Sequence, residues 1–414
     1  MRSIKCVEDN KKVGNMRTLV YFELKKIIHR KVMWICMSIS LLLILITVGG
    51  PLLGNYYVNG EIVGSNYEMF QIDAKYQRAL DGRKIEDELL QEMQNAYSKV
   101  PLDVEQYSLT EEYQTYARPY SAIFNYVRQV MGMTGAEVIT TIVNMENLHI
   151  RRLEMQEERW EDFLLSEEEK EFWRTQEAKI ELPIIFRYAE GYSVLFSSVY
   201  TIGLLVIFMV SVCLAGVFPE EHKQKTDQLI LSSKYGRQDI YWAKFIAGLF
   251  VALLMTLIFV FVTFFTAFIL YGIDGFDAAF QLIYEGNSCP ISAGQAILIA
   301  YLVVLFVGIF IGAFVMLLSE GLHSSTGTLA IIIGIMVLTM IINVPDEYRI
   351  VRQLWNYLPS NIVAGWNIFS PDIVMIFGHG LQAWQIVPML YIGFASIAAL
   401  VTKRFFVKYQ ISGR

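Results

Sequence analysis

No string of the form GxxxxGK[ST] occurs in the 414 residues, so the chain has no P-loop with which to cradle a nucleotide's phosphates. HExxH is missing too: Glu220-Glu221-His222 is the nearest approach and lacks the second ligand. No GxSxG elbow is present. Four cysteines without CxxC pairing or a metal-like Cys/His spacing give neither a disulfide framework nor a structural zinc. The cluster Glu154, Glu157, Glu158 and Glu161 reads as a solvated helix face rather than an acid and base pair. The chain is therefore not expected to be an enzyme, and no cofactor is expected within it.

Charge is also missing where a gradient-driven carrier needs it. Ionisable side chains in mid-membrane are costly and are kept for ion coupling, yet the centres of all the long apolar runs lack Asp, Glu, Lys and Arg. Glu320 and His323 stand at the inner end of a run, where an ionisable group is cheap to keep. Energy for any transport must then enter from a partner.

What the chain has is apolar length. Hydrophobic residues make up 54% of it and charged residues 18%. Uncharged stretches run Val32–Gly60, Gly191–Pro219, Phe245–Ile273, Gly286–Ser319, Gly321–Pro345 and Ile373–Thr402, each long enough for the roughly 20 residues that cross a bilayer as a helix. The expected class is an all-α polytopic membrane protein with six transmembrane helices, at 32–53, 191–217, 245–271, 294–318, 326–344 and 386–402. Val32–Leu53 exceeds a signal-peptide core of about 7 to 15 residues and lacks an Ala-x-Ala site, so a retained helix is expected.

Lys and Arg in the short flanks set the orientation. Nine lie in the tail through Lys31, five in Phe218–Lys244 and four from Lys403 onward, against none in Gly272–Ser292. Both termini (1–31 and 403–414) and the 218–244 segment are therefore expected in the cytosol. Leu19–Lys31 reads as an interfacial amphipathic elbow helix. Residues 54–190 form an extracytoplasmic helical domain with 26 acidic against 14 basic residues. Helix formers concentrate at Ile72–Tyr97 and Glu137–Phe163, and Ser166 with Glu169 resembles a capping box. This domain is either an ordinary acidic bundle or a receptor for a cationic cargo such as a basic antimicrobial peptide. Residues 354–376 are apolar but broken by Pro359 and Gly365, and crowded with Trp355, Tyr357 and Trp366. They are expected to be a surface segment or a re-entrant one, the latter placing Pro359, Gly365 and Trp366 near a substrate path.

The polar island Phe218–Lys244 between two apolar runs organises the rest. Glu221, Thr226, Leu229-Ile230-Leu231-Ser232, Gly236-Arg237 and Lys244 resemble the pattern that follows the second span of type-2 ABC transporter permeases (ABC-2 type). Six spans, an elbow helix and a broken segment before the last span resemble that family as well. Lys225 stands where the family often has Gly, and Lys234 where it often has Pro.

The resemblance implies a cytosolic coupling helix at Thr226–Ser232 docked on an ABC ATPase, with Glu221 and Arg237 as polar anchors and Leu229, Leu231 and Gly236 in the same contact. It implies ATP and Mg bound by the ATPase subunits, and a second permease subunit, identical or related, in the bacterial cytoplasmic membrane. Lipid is a partner and nucleic acid is not. The implied function is export of an amphipathic, peptide or lipid-like substrate; the alternatives are a non-transporting peptide sensor or immunity protein, and a gradient-driven carrier.

Overall fold

A computed structural model describes residues 16–58, 61–101, 107–223 and 236–408. Thr226, Leu229, Leu231 and Ser232 lie outside the described residues, as do the side chains of Gly236 and Arg237.

Chain order is α1 over residues 16–28, then α2 (Lys31–Gly49), which carries the first apolar run. A β1 (Asn55–Val58) and β2 (Glu61–Ser65) hairpin leads into the helical domain expected on the outer face. That domain holds α3 (Asn66–Leu80), α4 (Asp87–Tyr97), α5 (Ser121–Met131), α6 (Gly135–Thr140), α7 (Met145–Asp162) and α8 (Glu167–Glu177). The apolar helices α9 (Glu190–Leu214), α11 (Gly236–Tyr271), α12 (Ala293–Leu322) and α13 (Ser325–Ile341) follow, with short α10 (Pro219–Lys223) after α9. Short helices α14 (Arg349–Asn356), α15 (Pro359–Ile362) and α16 (Gly365–Ile368) and a β3 (Ile373–Ile376) and β4 (His379–Gln382) hairpin precede α17 (Ala383–Lys408).

Among the described residues five helices, those of α2, α9, α11, α12 and α17, are long and apolar enough to cross a membrane. The sixth expected span is α13, 17 residues long and apolar, or about 26 Å at 1.5 Å per residue, the short end of the spanning range. It stops before Val344-Pro345, because the residue preceding a proline is pushed out of helical backbone. A capping box between Ser292 and Gln295 opens α12, and His323 in left-handed backbone (φ 51°) closes it. Ser324 then caps α13, accepting from the Gly327 amide at 3.1 Å.

Two of the expected outer helical stretches are broken. Ile72–Tyr97 is interrupted at Asp81-Gly82, where Gly82 takes φ 84°, and Glu137–Phe163 divides between α6 and α7. The Ser166–Glu169 capping box is present, with the Glu169 amide donating to the Ser166 hydroxyl and the Ser166 amide to the Glu169 carboxylate. The outer domain has its own core, in which Tyr97 stacks on Phe124 with ring centroids 3.8 Å apart.

The apolar helices share a second core centred on α9 and α12. Backbones approach closely there. A Cβ on Gly203 of α9 would fall 2.4 Å from Val363, and one on Gly308 of α12 would fall 2.3 Å from Thr256 Oγ1.

Candidate functional site

The base of the 218–244 segment is knotted to the N-terminal helix by charge. Helical spacing puts Glu23 and Lys26 on one face of α1, where their side chains meet at 2.7 Å. Lys26 Nζ also donates to Glu221 of α10 at 2.8 Å. Lys244, only 1% exposed, lies 2.7 Å from Glu221, 3.1 Å from Glu23 and 3.4 Å from the Val217 carbonyl. Two cations and two carboxylates thus alternate, which is the arrangement that makes buried charge tolerable. Burial would lower the Lys26 ammonium, but hydrogen bonds to Glu221 and Glu23 outweigh it and hold the group above its ordinary value.

Arg30, at the elbow between α1 and α2, extends the knot. Its guanidinium donates to the carbonyls of Cys213 at 3.1 Å and Gly216 at 3.0 Å, and to Glu220 at 2.9 Å. The Cys213 carbonyl belongs to the last turn of α9, where helix carbonyls run out of amide partners, and Gly216 lies two residues beyond the helix end. Gly216 lies close under the Arg30 and Glu220 side chains: a Cβ there would sit 3.0 Å from Arg30 Nη1 and 3.0 Å from a Glu220 carboxylate oxygen. Phe218, Tyr241 and Phe406 pack beside the knot, bringing in the end of α17.

Glu221 was expected to face a partner; its carboxylate is instead engaged inside the chain. Lys244 enters as a central residue, although its place in the sequence pattern marked it only as the end of the segment. Glu320, expected to be cheap to keep at the end of a run, is instead 1% exposed and enclosed by protein.

The broken segment packs into the helices. Val363 reaches Gly203, which is 13 residues into α9 from Glu190, or about 20 Å along the helix axis. Gly365 lies under Phe196, where a Cβ would be 2.7 Å from the ring. Pro359 opens α15, a position where its missing N–H costs nothing. The interrupted backbone is served by side chains: Asn361 donates to the Trp355 carbonyl at 3.0 Å, Asn367 to Asn361 at 2.8 Å and Tyr391 to Tyr357 at 2.7 Å. Trp366, next to buried Gly365, is itself 56% exposed, with its ring 5.8 Å from that of Tyr200.

Arginines fasten the helical domain that follows α2 to two loops. Buried Arg152 donates to Glu177 at 2.7 Å and to the carbonyls of Glu285 at 2.7 Å and Asn287 at 2.9 Å. Arg349 pairs with Glu169, and Arg352 donates to the Phe163 carbonyl at 3.1 Å and to Asp372. Burial would raise Glu169, but Arg349 and the Ser166 hydrogen bonds keep it below its ordinary value. Burial pushes Asp372 up despite Arg352 and Arg349. The i, i+3 spacing of Arg349 and Arg352 beside Asp346 is the only local signal of this cluster in the sequence. The acids at 154, 157 and 158 are occupied by Arg151 and Arg174 on the surface.

A cleft of about 450 Å³ lies between residues 179–187 and the 277–292 loop. A second, of about 260 Å³, carries Glu190 and Glu285 on its wall.

Residues 17–346 match the family model described as ABC-2 family transporter protein. No curated protein matches the chain.

Proposed function

The chain belongs to the ABC-2 transporter family, and from that premise we propose that it is the membrane subunit of an ATP-driven exporter whose 218–244 segment receives the push of a separate ATPase. Membership makes it a multi-pass membrane permease and a transport subunit rather than an enzyme. In the proposal both termini and the segment are cytosolic, the membrane is the bacterial cytoplasmic membrane, ATP and Mg are bound by the partner, and two permease subunits enclose the path.

The observation that carries this reading is the knot of Glu23, Lys26, Glu221 and Lys244. A segment that only linked two spans would need no such fixing. One that transmits force must be rigidly tied at its base, so that a push on its tip turns the helices rather than bending the loop. Thr226–Ser232, with Leu229 and Leu231, is the docked part, and Arg237 its second polar anchor.

The cargo is proposed to be amphipathic, peptide or lipid-like. Apolar walls and an absence of charged groups in mid-helix suit such a molecule better than a small ion. Gly365, buried where the broken segment meets α9, and half-buried Pro359 border the path in this reading, and Trp366 lies at its edge.

The test is co-expression with an ABC ATPase encoded beside the chain, followed by reconstitution into vesicles. ATP hydrolysis stimulated by the permease and ATP-dependent movement of a fluorescent phospholipid or cationic peptide are expected. Transport that ran without ATP and collapsed with an ionophore would overturn the reading in favour of a carrier. Capture of peptide without movement would favour a sensor.

A further inference from the structure

We propose that Lys244 is a two-position pin, shared between Glu221 at the base of the 218–244 segment and Glu320 at the inner end of α12. Its transfer from one carboxylate to the other carries a displacement of the segment into α12. The inference rests on the reading that this segment is where the push arrives.

The register of α11 against α12 places the two residues together. A Cβ on Gly308 would meet Thr256 at 2.3 Å, one on Gly312 would meet Ala252 at 2.9 Å, and one on Gly248 would meet Met316 at 2.4 Å. Each rung lies four residues back along α11 and four residues on along α12. The helices therefore run antiparallel in one fixed register, with rungs about one helical turn apart. The next rung inward is Lys244 opposite Glu320.

Both residues of that rung are 1% exposed, and Glu320 lies within Coulombic range of Lys244 and Glu221. Yet Lys244 is directed to Glu221 and Glu23. Glu320 Oε2 is left buried without a hydrogen-bond partner among the described residues, and so is the hydroxyl of neighbouring Ser319. An unpaired buried carboxylate is among the most costly groups a fold can hold. A packing role alone would be served as well by an uncharged side chain.

Lysine suits the role. Its ammonium is a compact charge with three donors on a flexible four-carbon stem, so it can change partner by rotamer while its backbone stays in the ladder. Departure of Lys244 does not strand Glu221 or Glu23, because Lys26 binds both, at 2.8 and 2.7 Å. The two arrangements thus differ in which carboxylate Lys244 satisfies, and a pull on α10 shifts the balance between them.

The test is a cycle of Glu221→Gln, Glu320→Gln and the double variant in the purified full chain in detergent, read as Tm. Glu320→Gln alone is expected to raise Tm or leave it unchanged, because it removes a buried carboxylate without a partner, and to lower it by about 3 °C or more when Glu221 is already Gln and Lys244 has turned to Glu320. Additive effects, or the same rise for Glu320→Gln in both backgrounds, would overturn the pin and mark Glu320 as a bystander. If the double variant does not accumulate, Glu221→Asp and Glu320→Asp replace it; shortened reach should again give non-additive losses, and additivity again overturns the proposal.

A second readout separates the pin from the reading beneath it. In the complex with the ATPase, Glu320→Gln should leave co-purification intact and change the ATP hydrolysis rate by about fivefold or more. An unchanged rate overturns the pin. Failure of the wild-type chain to bind or stimulate the ATPase overturns the coupling reading instead.

Discussion

Lys244 Nζ lies 2.7 Å from a carboxylate oxygen of Glu221, and the two residues bracket the polar segment that divides α9 from α11. That single pair closes the segment's base into a loop. Through Lys26 and Glu23 the same loop is tied to the N-terminal helix.

Replacing Lys244 with Ala should weaken the whole inner end. Removing one partner of a buried pair costs about 3–5 kcal/mol when the other is stranded; Lys26 still holds Glu221 and Glu23, so the loss should fall at or below the lower end. Lys26→Ala, at a half-exposed position, should cost clearly less. Thermal unfolding of the purified variants, followed by size-exclusion chromatography, ranks the two.

Leu229→Asp with Leu231→Asp should leave membrane insertion intact and uncouple the partner. Pull-down of the ATPase and ATP-dependent transport are the measurements. Survival of both would remove the segment from its proposed role.

Arg152→Ala should loosen the outer domain. Arg152 and Glu177 are 3% and 6% exposed, so the truncation strands a buried carboxylate and frees the 285–287 carbonyls, at about 3–5 kcal/mol. Arg174→Ala, whose pair with Glu157 is open to water, should change stability by no more than about 0.5 kcal/mol. Limited proteolysis of the purified chain in detergent should cut the first variant faster and leave the second like wild type.

Gly203→Ala should destabilise the seat of the broken segment by about 1–3 kcal/mol, the usual range for overpacking, because its Cβ would lie 2.4 Å from Val363. Val363→Ala in the same chain should recover part of that loss. An equal Tm for Gly203→Ala and wild type would mean that the segment does not sit against α9.

Acid should release the Arg349–Glu169 fastening. Glu169 is depressed below its ordinary value near 4.5, so its contribution is fully present above that value and is lost as pH falls through the lower folded value. Asp372 has the opposite sign: burial raises it, so protonation on mild acidification relieves its cost. Glu169→Gln should therefore flatten the loss of Tm below pH about 4.5 and leave the neutral range with a constant deficit. A wild-type acid limb in that variant would assign the loss to other carboxylates.

The apolar runs, the helical class and the polar island at 218–244 were legible in the residues alone. In lipid every backbone N–H and C=O must be satisfied within its own segment, so spans are written locally, as composition over about 20 residues. Local capping signals were legible for the same reason, as Ser166 and Glu169 demonstrate. The contacts that give the island its base were not. Lys26 and Glu221 stand 195 positions apart, and Arg349 and Glu169 stand 180 apart. Glu320 looked like a solvated group at a helix end, because no local pattern records that α11 packs its charged rung against it. Which charges on α11 and α12 face each other is decided by helix register and close backbone approach at Gly248, Gly308 and Gly312. Only tertiary packing sets that register, because it depends on how the surfaces of separate helices fit together rather than on the periodicity of any one of them.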